Sequence, residues 1–374
     1  LAVILRYRSP AGVLGVMVDS SEGWSGQLTE QFNLPDVLEV TGATDLLRTF
    51  AQPGASVTLE GPDTSGPWLG FYTKIEKTGQ DTSTVTWTSF DLWMWGRIIY
   101  PVPASAWTAQ TASAYYSVNT NAEAAIIDLV NKNLGPGALT ARRLSGLTMP
   151  TSLGRGSTRK RSYRFNNLGE SVAELGELSG LRTRIVANGA NLILEVTAPG
   201  DLSATAKYGT PDVGGPGVIA QDWSLRYERP ESTHVLAAAG GVGVARIGRE
   251  GSNVSAQTLW GRIESFIDQR QTTDSFEIDD AIMDALADVI TLVEVSATIP
   301  DDPALRLGAD VPIGAKVGLD LDGDFIVERL RRVETSFAAE ATTRQGFVGS
   351  PNAGVTRTQQ QIRSIQAALR RGQP

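Results

Sequence analysis

Apolar and polar positions alternate in short runs through the first hundred residues. Strands are expected over Val13–Val18, Ser56–Glu60, Trp68–Ile75 and Thr84–Phe90. In the last run Val85, Trp87 and Ser89 share one face, and Thr84, Thr86, Thr88 and Phe90 share the other, as in a sheet with a semi-polar side. Pro62–Pro67 reads as a turn-rich hairpin loop. Leu92 to Pro101 is heavily apolar, which makes it core or a subunit contact, and Pro101 and Pro103 close the unit. Leu1–Tyr7 reads as a first strand rather than a signal peptide, because its apolar run is short and ends in Arg6 and Arg8.

The period then lengthens. Thr120-x-x-Glu123 has the form of a capping box, and Ala122, Ala125, Ile126, Leu129 and Val130 make one helical face before Gly135-Pro136. Asn167 caps a second helix with Glu170 three residues on, Leu168, Val172, Leu175 and Leu178 inward, and Gly180 as its stop. Asn188-Gly189 joins two strand-like runs, Arg182–Val186 and Asn191–Val196. Beyond the glycine-rich stretch Gly209–Gly217, the spacing predicts helices over Ala256–Ile267, with Leu259, Ile263, Phe266 and Ile267 inward, and over Asp279–Ile290. Strands are expected near Leu292–Ile299, Val311–Leu319 and Phe325–Leu330, the last two joined by a turn at Asp322-Gly323. Residues 339–374 are polar. Val355, Ile362 and Leu369 stand seven apart, with Thr358 and Ile365 at the matching d positions. Two repeats suit a terminal helix on its own body, a weak parallel trimer or a docking peptide.

Composition narrows the function. Hydrophobic residues make up 41% and charged residues 20% of the 374, a globular balance. The net charge of −8 argues against general binding to nucleic acid or anionic membranes. The 27 Arg against 6 Lys suit packed interfaces but also follow from a GC-rich genome. Without cysteine the chain has no disulfide, thiolate nucleophile or Cys-ligated metal, and no run reaches the ~18 apolar residues of a membrane helix.

Chemistry-bearing motifs are sparse, and no catalytic, metal or cofactor site is expected. His234 is the only histidine and lies in a strand-like run, with no Gly-x-Ser-x-Gly elbow in the chain. Gly240 to Gly248 resembles a dinucleotide loop, but Arg246 stands where a glycine is required, so a turn between strands is expected. Asp320-x-Asp322-Gly323-Asp324 has its glycine fourth and Arg331 twelfth, which does not fit a calcium loop. Glu170, Glu174 and Glu177 share a helical face, either an ordinary solvated face or a glycan-cleaving pair. Arg155, Arg159, Lys160, Arg161 and Arg164 form the densest positive patch. It reads as a basic loop that is solvated or that meets nucleic acid, a sugar-phosphate polymer or an acidic neighbouring subunit, with the protein neighbour favoured among the functional readings. Trp93, Trp95 and Trp107 are candidate subunit anchors, as are Val355, Ile362 and Leu369 in the polar end.

The order of several motifs resembles the minor tail proteins of siphophages infecting actinobacteria, of the baseplate-hub or tail-associated class. These are Phe32-Asn33-x-Pro35, Gly70, Gly96-Arg97-Ile98-Ile99-Tyr100-Pro101, the helices over Asn121–Asn133 and Leu168–Leu181, and Arg262-Ile263-Glu264-x-Phe266-Ile267-Asp268-x-Arg270. Leu307-Gly308-Ala309-Asp310-Val311 matches the family's Leu-Gly-Asp-x-Val turn with an inserted alanine. The resemblance covers about residues 1–340. It implies a non-enzymatic homotrimeric hub at the distal end of the tail tube, contacting tail-tube, tape-measure and tip proteins, with phage DNA passing through unbound. It also implies a β-rich α+β chain with two β-barrel-like tube domains, 1–103 and 218–338. A small α+β domain over 104–217 would be inserted between them, and 339–374 would be a polar extension. A cell-wall carbohydrate-binding adhesin is the alternative, and a peptidoglycan hydrolase a third reading.

Overall fold

The computed structural model describes residues 3–9, 12–61, 68–77, 79, 81–209, 220–270, 272–286, 292–338 and 341–349. The chain opens with β1 (Ile4–Arg8), β2 (Leu14–Asp19), β3 (Ser25–Gln31) and β4 (Val37–Ala43). The helix α1 (Thr44–Phe50) follows, then β5 (Ser56–Glu60), β6 (Trp68–Lys77) and β7 (Thr82–Ser89). The alternation read in the sequence holds: Val85 and Trp87 are fully buried and pack with Leu5, Leu38, Leu47 and Phe50. Each such buried side chain contributes about 1.5–3 kcal/mol.

A short helix, α2 (Leu92–Trp95), leads into the middle of the chain. There β8 (Tyr116–Asn121), α3 (Ala122–Asn133), β9 (Leu147–Thr148), β10 (Thr158–Tyr163), α4 (Leu168–Ser179), β11 (Arg182–Asn188) and β12 (Asn191–Thr197) follow one another. Both helix faces are as read, with Ile126, Leu129, Leu168, Val172 and Leu175 in one core. Asn167 caps α4 by accepting from Glu170 N, and Gly180 ends it in the left-handed conformation. The cap of α3 differs from the expectation. Asn121, not Thr120, accepts from Ala124 N, because Glu123 is turned inward to Arg155. The β11–β12 hairpin pairs Asn188 with Asn191, which leaves Gly189 (φ 60°) and Ala190 as its turn.

The remaining elements are β13 (Lys207–Gly209), β14 (Gln221–Glu228), β15 (His234–Ala239), β16 (Gly248–Ser252), α5 (Val254–Trp260) and β17 (Glu264–Gln269). After them come α6 (Ser275–Leu286), β18 (Leu292–Pro300), β19 (Lys316–Leu321), β20 (Asp324–Phe337) and β21 (Thr342–Gly349). The expected helix over 256–267 is two elements. Gly261 at φ 75° ends α5, and 264–269 is a strand whose Phe266 is 61% exposed, while Leu259 is 67% exposed. The turn at Asp322-Gly323 is as read, with both residues at positive φ between paired Leu321 and Asp324. Strand β21, from the stretch read as a polar extension, lies between β18 and β20.

The expectation of two β-barrel-like domains is overturned, although the fold is mixed α+β. β3 pairs antiparallel with β20, so the two β-rich stretches merge into one 13-stranded sheet. Its path runs β14-β18-β21-β20-β3-β4-β7-β6-β5-β1-β2, with β19 paired to β20 and β13. The ends of that path do not meet, and no sheet closes into a barrel or tube. The long β20 makes the merger possible: its first half pairs with β19, its second with β3 and β21.

Candidate functional site

The Phe32–Asp36 turn between β3 and β4 receives the α4–β11 corner, and polar side chains fasten the two. Asn33, at φ 55°, donates from Nδ2 to Leu181 O at 2.9 Å and accepts at Oδ1 from Thr183 N at 3.0 Å. An asparagine tolerates this left-handed backbone better than most residues. Asp36 accepts from Gln31 N at 2.7 Å, and its own N donates to Ser89 Oγ at 3.0 Å. Ser89 Oγ donates to Asp91 at 2.9 Å, and Asp91 accepts from Ile185 N at 2.5 Å. Helix α4 reaches this corner through glycines. A Cβ on Gly176 would stand 2.5 Å from Asn33 Nδ2, and one on Gly169 would stand 2.7 Å from the Trp95 ring.

Charge is concentrated here with little solvent. Glu30, Asp36, Asp91 and Arg182 are all buried, and Arg182 lies 4.0 Å from Glu30. Burial pushes the Asp36 carboxyl up to about 7 against the pull of Arg182. Burial likewise lifts Asp91 to about 6, against its hydrogen bonds from Ile185 N and Ser89. These carboxylates face backbone donors, so they hold loops in place. Sequence reading passed over Glu30, Asp36, Asp91 and Arg182; the available signal was Phe32-Asn33-x-Pro35 followed directly by an acid.

Beside the junction lies a cleft of about 460 Å³ between α4 and the sheet. Phe32, Leu34, Ala297, Phe347 and Val348 supply apolar lining, and Glu174, Glu177, Asp222, Arg331 and Arg332 supply charge. Glu177 is tied to Arg331 at 2.6 Å, and the Arg332 guanidinium lies 3.9 Å from the Phe347 ring centroid.

The basic stretch read as a loop is largely strand β10, and its partners are in the same chain. Arg159 pairs with Asp284 at 2.9 Å, Lys160 with Asp274, and Arg161 with Asp280 and Asp284, all at α6 or just before it. Arg155 pairs with the buried Glu123 at 2.6 Å. Trp93 packs half-buried against Phe71, with ring centroids 5.7 Å apart, and Trp95 lies against Gly169. Trp107 is 60% exposed beside Tyr100 and Phe165, at 5.9 and 5.3 Å between centroids. Val355, Ile362 and Leu369 lie outside the described residues. His234 is buried in β15, with Nε2 3.0 Å from Glu250. Gly240 to Gly248 joins β15 to β16, as the sequence implied. Among the described residues no three His, Cys, Asp or Glu side chains are placed to share a metal, and no helix is long and apolar enough to cross a membrane.

Residues 35–349 match the family described as Siphovirus ReqiPepy6 Gp37-like protein. The chain belongs to this family. The siphophage resemblance read from motif order is therefore met at family level. Among solved structures, the chain is similar to the 43 kDa tail protein of prophage MuSo2 from Shewanella oneidensis. That match has a TM-score of 0.55 at 12% identity and covers 94% of this chain and 99% of the other. A tail protein from Neisseria meningitidis MC58 aligns with TM-score 0.54 at 9% identity, over 94% and 98%. Prophage tail protein gp18 from Listeria monocytogenes EGD-e gives 0.55 at 8%, over 99% of both chains. At such identities the likeness is one of fold, and it extends over the length of this Gp37-like chain. No curated protein matches the sequence. The tail-protein fold and the lack of a catalytic motif are consistent with a chain that is not an enzyme.

Proposed function

We propose that this chain is a structural subunit of a siphovirus tail, acting in an oligomer at the distal end. The observation that carries the reading is the family match over residues 35–349, joined to a tail-protein fold along the whole chain. The form of the large sheet supports it. Edge strand β2 pairs only with β1 and leaves Val13, Leu14, Val16 and Met17 exposed, an apolar edge that a neighbouring subunit would cover. Trp107 is a second candidate contact. On this reading three copies form a hub that contacts tail-tube, tape-measure and tip proteins and opens for DNA ejection. The acidic balance of the chain keeps DNA from adhering in passage.

One observation favours a second role. The exposed ring cluster of Tyr100, Trp107 and Phe165 is the kind of surface on which a cell-wall glycan stacks. Cryo-electron microscopy of the virion tail tip, without imposed symmetry, separates the readings. Three copies around the end of the tube are expected. Copies hanging outside it would favour the glycan-binding role, and absence from the particle would sink both.

A further inference from the structure

The cleft beside the polar junction has apolar walls that nothing in the described chain covers. Phe32, Leu34, Ala297 and Phe347 line it, and Leu34 is 42% exposed. Two of its lining carboxylates, Glu174 and Asp222, are exposed and make no ion pair among the described residues. Gly349, the last described residue, is itself part of the lining. The backbone therefore leaves the sheet at the cleft, and the residues after Gly349 are held there at high local concentration.

That segment has complementary chemistry. Residues 350–374 contain four arginines, Arg357, Arg363, Arg370 and Arg371, and no Asp or Glu, in a chain whose net charge is −8. Ile362, Ile365 and Leu369 are spaced three and four apart, which places them on one side of a helical turn pattern, with Arg363 and Arg370 flanking. A volume of about 460 Å³ is of the size that takes a few aliphatic side chains.

We infer that the cleft is the docking site for residues 350–374 of the same chain, Ile362, Ile365 and Leu369 entering it and the arginines meeting Glu174 and Asp222. A surface closed by its own tail is one that a partner can open by competing for it.

The test uses the full chain, which has no cysteine of its own. Thiols are placed in pairs, Gln366→Cys with Ala173→Cys in the cleft wall, or Gln366→Cys with Ser117→Cys on exposed β8. Each pair is treated with a short bis-maleimide, and the linked peptides are identified by mass. The Ala173→Cys pair is expected to link within one molecule, independent of protein concentration, and the Ser117→Cys pair is not. Replacing Ile362, Ile365 and Leu369 with Asp should lower the yield at least about tenfold. Glu174→Lys, on an exposed position, should lower it less and make it insensitive to salt. Equal linking at both sites, or a yield unmoved by the Asp variant, overturns the inference. Links between two molecules that grow with concentration overturn it as well, since they give the cleft to a second copy.

Discussion

Asp36 shows how much one side chain at the junction is asked to do. It is fully enclosed, it anchors Gln31 N, and it keeps its proton up to about pH 7, against an ordinary 3.8. In the unfolded chain it loses that proton near its ordinary value. Between the two values the folded state binds more protons, so stability is greatest at the acid end and falls as pH rises towards 7. Asp91, raised to about 6, acts in the same direction over a narrower window. Asp36→Asn keeps the acceptor oxygen and removes the titration. Urea midpoints at pH 5 and pH 8 should lie closer together in the variant than in the parent, by an amount worth about 1–4 kcal/mol. An unchanged pH slope would show that the carboxyl is solvated after all.

Helix α4 is the element on which the junction turns. Its interior Gly176 is a poor helix former, and alanine there would ordinarily gain about 1 kcal/mol. Here a Cβ would press to 2.5 Å from Asn33 Nδ2 and 2.7 Å from Leu181 O, and the second of these is backbone that cannot swing away. Gly176→Ala should therefore lower the melting temperature, with a net loss of about 1–2 kcal/mol, whereas a rise would mean that the corner is loosely seated. Elements of this kind were legible in the sequence wherever a local signal sufficed. The Asn167 cap, the Gly180 stop and the Asp322-Gly323 turn each depend on a few neighbouring residues. Reading failed where period alone was used, as over 256–267, where Ile263, Phe266 and Ile267 fit a helical spacing but Gly261 had already ended the helix. It failed again at β21, whose central place in the sheet is hidden by its polar alternation. The partners of Arg159, Lys160 and Arg161 could not be read at all, because α6 lies more than a hundred residues away.

At the scale of the whole molecule the sheet has two free ends, β2 and β14, and the apolar surface of β2 is the less usual of them. Val16→Lys adds a charge to an edge that is already in water, so it should leave monomer stability within about 0.5 kcal/mol of the parent. Sedimentation should then show fewer oligomers at equal concentration; an unaltered distribution would mean that subunits meet elsewhere. The other defining feature is the seam between β3 and β20, where Gln27 hydrogen-bonds to Glu334 across 307 positions of sequence. On the ribosome, β3 emerges early and its partner almost last. Until then the early strands must wait with one flank bare. Many copies of a tail component made together would expose that flank to one another, so the speed of translation becomes a determinant of yield, and slowing it should favour tangled chains over finished ones.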